Sequence, residues 1–215
     1  MKPFRDRTDA GRLLVGPLGV YANRKDVLVL ALPRGGVPVA YEVARRLNLP
    51  LDVFVVRKLG VPGYEELALG AIASGGVRVL NQDVIRALPG AEQIVESVTA
   101  NELVEIERRE LAYRGNRLPI DVRGLIVILI DDGLATGATM HAAVSALREQ
   151  EPAKIVVAVP VCAPETCRQI QNVADEVMWL YAPEWFHGVG QFYDDFSQTS
   201  DDEVRRLLAD AQPKL

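Results

Sequence analysis

The run Ile126-Val-Ile-Leu-Ile-Asp-Asp-Gly-Leu-Ala-Thr-Gly-Ala-Thr139 gathers residue types able to hold a phosphorylated ligand. An apolar stretch of strand length ends in two adjacent acids, and a short loop of Gly, Thr and Ala leads into a helical pattern. Such a loop lies at the C-terminal edge of a buried strand. Gly133 and Gly137 let the backbone turn tightly, while Thr136 and Thr139 offer hydroxyls. The helix after Ala138 points its unpaired N–H groups at the loop, an arrangement that cradles phosphate. Asp131 and Asp132 would repel that anion, so they should face hydroxyl groups or a metal cation beside it. Phosphate, diol and cation together describe an activated sugar phosphate.

A second turn, Pro33-Arg34-Gly35-Gly36, closes the apolar run Val27 to Leu32. In a parallel sheet it opens on the same edge as the two acids. Its glycines let backbone amides approach an anion, and Arg34 supplies a planar fork for phosphate oxygens. An ordinary strand-to-helix turn is the bland alternative, and convergence of two such loops on one edge argues against it. Arg57-Lys58 ends the next buried-strand candidate, Leu51 to Val56, ahead of Leu59-Gly-Val-Pro-Gly63. A basic pair there suits capture of a diphosphate.

The elements that must position these loops follow a β-turn-α-β order. Val37 to Leu47 reads as a helix with Val39, Val43, Ala44 and Leu47 on one face. Strands over 125–130, 155–161 and 176–181 and helices over 138–149 and 164–173 complete an α/β fold. Its sheet has about five parallel strands flanked by helices. Residues 58–80 carry five glycines and predict a mobile loop with a short hairpin. Residues 91–114 predict a long exposed helix whose charges form a solvated face.

At 215 residues the chain fits a single domain over 1–215, with its core at about 27–181. A net charge of -5 argues against a nucleic-acid surface, and no apolar run approaches the roughly 20 residues of a membrane span. The N-terminal Met-Lys-Pro-Phe-Arg-Asp-Arg has no apolar segment behind it, so a signal peptide is not expected and a cytoplasmic location is. Cys162 and Cys167 match no common zinc spacing and are read as structural thiols.

The Asp-Asp-Gly-Leu-Ala-Thr-Gly-Ala-Thr loop resembles the signature of the type I phosphoribosyltransferases: an apolar strand, two acids, two variable residues, a small residue, then Thr-Gly-x-Thr. The resemblance covers approximately residues 27–196 and implies that family's sheet, with a small hood at about 182–199 that can include N-terminal residues. It implies that Asp131 and Asp132 hold the ribose hydroxyls of 5-phosphoribosyl 1-diphosphate (PRPP) and, directly or through water, Mg2+. Ala135, Thr136, Gly137, Ala138 and Thr139 would bind the 5′-phosphate, and Arg34, Gly35, Gly36, Arg57 and Lys58 the diphosphate. The Arg-Lys with its following Pro-Gly resembles the adenine enzymes, whose loop folds over the donor. Residues 182–196 resemble the segment that meets the base in the 6-oxopurine enzymes, so Trp185 or Phe186 would stack and Asp194 or Asp195 would accept hydrogen bonds.

Three residues depart from the pattern. Gly133 stands where the family usually has an apolar residue, which bears on packing. Ala135 replaces the Asp of the 6-oxopurine enzymes and Val161 their Lys, which speaks against hypoxanthine or guanine as acceptor. His141 and His187 are possible general bases, though ordinary surface roles outweigh that. The implied activity is transfer of phosphoribosyl to a nucleobase or similar nucleophile with release of diphosphate, in salvage or other nucleotide metabolism, by a homodimer. A non-catalytic PRPP-binding regulator is the alternative. A diphosphokinase would need an ATP site, and no Walker-type loop is present, though that class does not require one; a dinucleotide enzyme would want Gly-x-Gly-x-x-Gly after the first strand, which Arg34-Gly-Gly-Val does not supply.

Overall fold

The computed structural model describes residues 3–88 and 90–211, residues 65 and 66 by their backbone alone. Met1 and Lys2 of the N-terminal stretch lie outside the described residues. The chain opens with α1 (Arg7–Leu18), a helix the sequence pattern did not announce. Asp6 caps it by accepting from the Asp9 N–H, and Ala10, Leu14 and Leu18 form its buried stripe. There follow β1 (Val27–Ala31), α2 (Gly36–Leu47) and β2 (Leu51–Val53). α1 crosses α2 so closely that a Cβ on Gly11 would lie 2.6 Å from the Val39 carbonyl oxygen.

The strand expected over 51–56 stops at Val53. Val56 instead starts an antiparallel sheet of β3 (Val56–Val61), β4 (Tyr64–Ala73) and β5 (Arg78–Leu80). Ser74 fixes the transfer: its hydroxyl accepts from the Val55 N–H and its own N–H donates to the Val55 carbonyl. The region expected to be a loop with a short hairpin is therefore a three-stranded sheet, with Gly63 turning the first hairpin at φ 81°. After α3 (Gln82–Ala87), the predicted long helix is α4 (Ala91–Arg114). It is not solvated throughout. Arg114 and Asp52 are each 6% exposed and share two hydrogen bonds of 2.8 and 3.0 Å from Nε, because α4 packs its C-terminal end over the edge of β2.

β6 (Ile126–Ile130), α5 (Ala138–Arg148), β7 (Lys154–Val161), α6 (Pro164–Gln171) and β8 (Glu176–Tyr181) complete the main fold, and α7 (Asp201–Asp210) ends it. The five-stranded sheet is parallel, in the order β2-β1-β6-β7-β8. Strand alternation divides its side chains between two cores. Val27, Val29, Ile128 and Ile130 face α1, α2 and α7, whereas Leu28, Leu30, Val127 and Leu129 face α5 and α6. Cys162 and Cys167, read from the sequence as structural thiols, are joined as a disulfide with Cα atoms 5.9 Å apart; the first turn of α6 folds back over the end of β7.

The segment after β8 pairs with the N-terminus. Phe4 donates to the Phe192 carbonyl, while the N–H groups of Asp194 and Asp195 donate to the carbonyls of Phe4 and Arg5. Phe4, Val161, Phe192 and Tyr193 form a small separate core beneath this cap.

Candidate active site

β6 delivers Asp131 and Asp132 to the carboxyl edge of the sheet, directly against the turn that follows β1. The closeness can be measured from the glycines. A Cβ on Gly35 would lie 2.0 Å from Asp132 Oδ2, and one on Gly36 would lie 2.6 Å from the Ile130 carbonyl oxygen. Asp131 Oδ1 accepts from the Asp132 N–H at 2.8 Å. Asp132 Oδ2 accepts from Arg7 Nε at 2.8 Å, and its carbonyl accepts from the Tyr193 hydroxyl at 2.6 Å. Burial, with the Asp132 charge beside it, pushes the Asp131 carboxyl well above the usual range. Burial also raises Asp132, against the pull of the Arg7 guanidinium. Tyr193 is pushed up by burial and then by the Asp132 charge, so it stays a hydrogen-bond donor.

The next residues form an open backbone cradle. Leu134 donates to the Val161 carbonyl and accepts from the Ala163 N–H, both at 2.9 Å, which ties the loop to the end of β7. Thr166 Oγ1 donates to the Ala135 carbonyl at 2.5 Å. Gly137, at φ 71°, is the N-cap of α5, a left-handed conformation suited to glycine. Ala135, Thr136, Ala138 and Thr139 are exposed, and the first-turn N–H groups of α5 have no intrahelical acceptors. Gly133 also has its explanation: a Cβ there would lie 2.6 Å from Val189 and 2.9 Å from Val161, so the cap's own valine fills that space.

Arg34, beyond a cis Pro33-Arg34 peptide, lies 3.6 Å from Asp201 at the start of α7, whose carboxylate also accepts from the Tyr113 hydroxyl at 3.0 Å. Arg57 and Lys58 part company. Because they are neighbours on β3 they face opposite sides, so Arg57 pairs with Glu102 of α4 at 2.5 Å. Lys58 lines a cavity of about 440 Å³ between the antiparallel sheet and α5, together with Thr139, His141 and Ser145. The loops at 34–36 and 131–139 and Lys58 thus lie near one another, and Arg57 turns away.

In the cap, Trp185 is 80% exposed, whereas Phe186 is half-buried with its ring centroid 5.3 Å from that of Phe192. Gln191 ties this loop by donating to the Trp185 carbonyl and accepting from the His187 N–H, both at 2.9 Å. Asp194 and Asp195 are exposed. Sequence patterning missed Arg7, Tyr193, Thr166 and Asp201, which reach the loops only through long-range contacts.

Residues 11–197 match the family described as Phosphoribosyl transferase domain. The chain belongs to that family. It is similar to a Mycobacterium tuberculosis protein that carries a provisional phosphoribosyl transferase name, 49% identical over 208 residues that make up 97% of this chain and 47% of that one. The chain spans about half the length of this curated relative. It is also 30% identical over 148 residues to the bifunctional protein PyrR of Listeria monocytogenes, covering 63% of this chain and 73% of PyrR. The crystal structure of TT1426 from Thermus thermophilus superposes with a TM-score of 0.86 at 41% identity, over 99% of this chain and 100% of that one. The five-stranded parallel sheet flanked by helices is the type I phosphoribosyltransferase fold. No helix among the described residues is long and apolar enough to cross a membrane.

Proposed function

We propose that this chain transfers the 5-phosphoribosyl group of PRPP to a nucleobase or similar nucleophile and releases diphosphate. The observation that carries the proposal is the packing of the Gly35-Gly36 turn against Asp131 and Asp132, with the open 135–139 cradle adjoining. The 5′-phosphate would rest on the amides and hydroxyls of residues 135–139, and the ribose hydroxyls on the two acids. Arg34, the Gly35 and Gly36 amides and Lys58 would hold the diphosphate; Arg57 would first have to leave Glu102. The C1–oxygen bond to diphosphate breaks as the acceptor's lone pair bonds C1, through an oxocarbenium-like state. The residues contribute chiefly position and charge.

The donor set suits Mg2+. No group of three metal-ligating side chains occurs among the described residues, and Mg2+ commonly uses one or two carboxylates with water and substrate phosphates. Asp131 and Asp132 would hold it, directly or through water, and the ion would offset diphosphate charge. On the acceptor side, exposed Trp185 is better placed to stack on a base than Phe186, whose ring is engaged with Phe192; Asp194 and Asp195 are open to hydrogen bonding. Ala135 and buried Val161 supply no side chain able to take a proton from a 6-oxopurine, which supports another acceptor. The same reading places the protein in cytoplasmic nucleotide metabolism as a homodimer, which sedimentation would test.

A PRPP-binding regulator is the second reading, supported by those two apolar residues where 6-oxopurine enzymes have chemical groups. Diphosphate release from PRPP and Mg2+ across a panel of purines, pyrimidines and amines separates the two. Release with one acceptor class supports the transferase; saturable PRPP binding with no release from any supports the regulator.

A further inference from the structure

Arg7 is the least expected part of the site. It occupies the first position of α1, yet its side chain is 12% exposed and that of Asp132 14%. Its guanidinium uses three surfaces at once. Nε donates to Asp132 Oδ2 at 2.8 Å, Nη1 donates to the Ser197 carbonyl at 2.7 Å, and the plane lies 3.9 Å over the centroid of the Phe196 ring. The position a Gly35 Cβ would take is 3.3 Å from Nε, so the diphosphate turn abuts the same group. One residue therefore links α1, the ribose acids, the turn after β1 and the tail of the cap.

We infer that Arg7 is a positioning residue for the sugar donor, holding the Asp132 carboxylate and the cap's tail as one unit. The inference rests on the PRPP reading and deepens it. Asp131 and Asp132 are adjacent acids in a site meant to receive a polyanion, and a fixed cation beside one of them lowers the repulsion that the donor meets. The hydrogen bond engages Oδ2, leaving the carboxylate's other oxygen to face a hydroxyl. Only a planar fork serves the carboxylate, the Ser197 carbonyl and the Phe196 face together; a lysine ammonium keeps the charge and loses the geometry.

A plain brace for α1 is the competing explanation, and α1 supplies the control. Arg12, on the same helix, pairs with Glu42 of α2 at 3.4 Å, away from the acids. Calorimetric titration with PRPP and Mg2+ on wild type, Arg7→Gln, Arg7→Lys and Arg12→Gln tests the inference. Loss of a hydrogen bond to a charged group predicts a Kd raised about tenfold or more in Arg7→Gln. Arg7→Lys should fall between that variant and wild type, a partial rescue that a brace would not produce, and Arg12→Gln should stay within about twofold. Binding by Arg7→Gln within about twofold of wild type overturns the inference, as does an equal loss in Arg12→Gln. Should Arg7→Gln not fold, Arg7→Lys decides: an unchanged Kd overturns the inference and a weaker one supports it. Wild type with no saturable binding rejects the PRPP reading and this inference together; wild-type binding matched by Arg7→Gln rejects the inference alone.

Discussion

Gly35→Ala isolates the contact between the turn after β1 and the loop after β6. The backbone there, at φ -60° and ψ -35°, is one that alanine adopts without strain. Through the unfolded state alone the change would stabilise by about 0.4–1 kcal/mol. Sterics oppose it. The new Cβ would lie 2.0 Å from Asp132 Oδ2 and 2.7 Å from its Cγ, so the carboxylate has to withdraw by about 1 Å to reach even a tight contact. Withdrawal also breaks the 2.8 Å hydrogen bond from Arg7. Overpacking costs about 1–3 kcal/mol and the charged hydrogen bond about 1.5–3, so the net loss is about 1.5–5.5 kcal/mol. For a chain of this size that is a fall in Tm of roughly 3–22 °C. Thermal unfolding followed by circular dichroism measures it, with Gly16→Ala as control, since a Cβ on Gly16 meets nothing within 4 Å. A Gly35→Ala protein as stable as wild type, with an intact response to PRPP and Mg2+, would refute the argument that the two loops share one packed site.

Other outcomes follow from the same contacts. Arg114→Met leaves Asp52 buried and unpaired, which should cost about 3–5 kcal/mol; the Asp52→Asn, Arg114→Met double variant should recover much of it, and a single variant as stable as wild type contradicts the buried pair. Asp131, raised in the folded state, binds its proton more tightly there than when unfolded. It therefore weakens the fold as pH rises above its ordinary value of 3.8. Asp131→Asn should accordingly raise Tm at pH 8 more than at pH 4; an equal or smaller gain at pH 8 would show that the carboxyl is not held up by burial. Arg34 pairs with Asp201 across a partly exposed 3.6 Å contact. Asp201→Asn should release Arg34 and tighten PRPP binding by at most about fivefold, the equivalent of a ~1 kcal/mol surface pair, and weaker binding would exclude this competition.

The parallel sheet was legible because β1, β6 and β7 are buried on both faces and so read as nearly continuous apolar runs; β8 and α4 match their predicted bounds. The open loop at 135–139 follows β6 directly, where local turn chemistry marks it. What escaped was non-local. The Leu51–Val56 run is apolar apart from Asp52, and nothing in it signals that the chain changes sheets beside Ser74, which lies 19 residues from Val55. Once β3 is a strand, alternation alone separates Arg57 from Lys58. α1 carries a regular stripe at Ala10, Leu14 and Leu18, but Gly11, Gly16 and Pro17 mask it. The ion pair of Arg7 with Asp132 spans 125 residues, a contact that no window of sequence contains.

The central claim is tested most directly by thermal unfolding with and without PRPP and Mg2+, in wild type and in the Asp131→Asn, Asp132→Asn double variant. At about a hundred times Kd the donor should stabilise wild type by ~2.7 kcal/mol, or roughly 5–11 °C, and leave the double variant unmoved. A folded wild type with no shift, or a shift that survives the loss of both acids, would contradict the assignment of this edge of the sheet to the sugar donor.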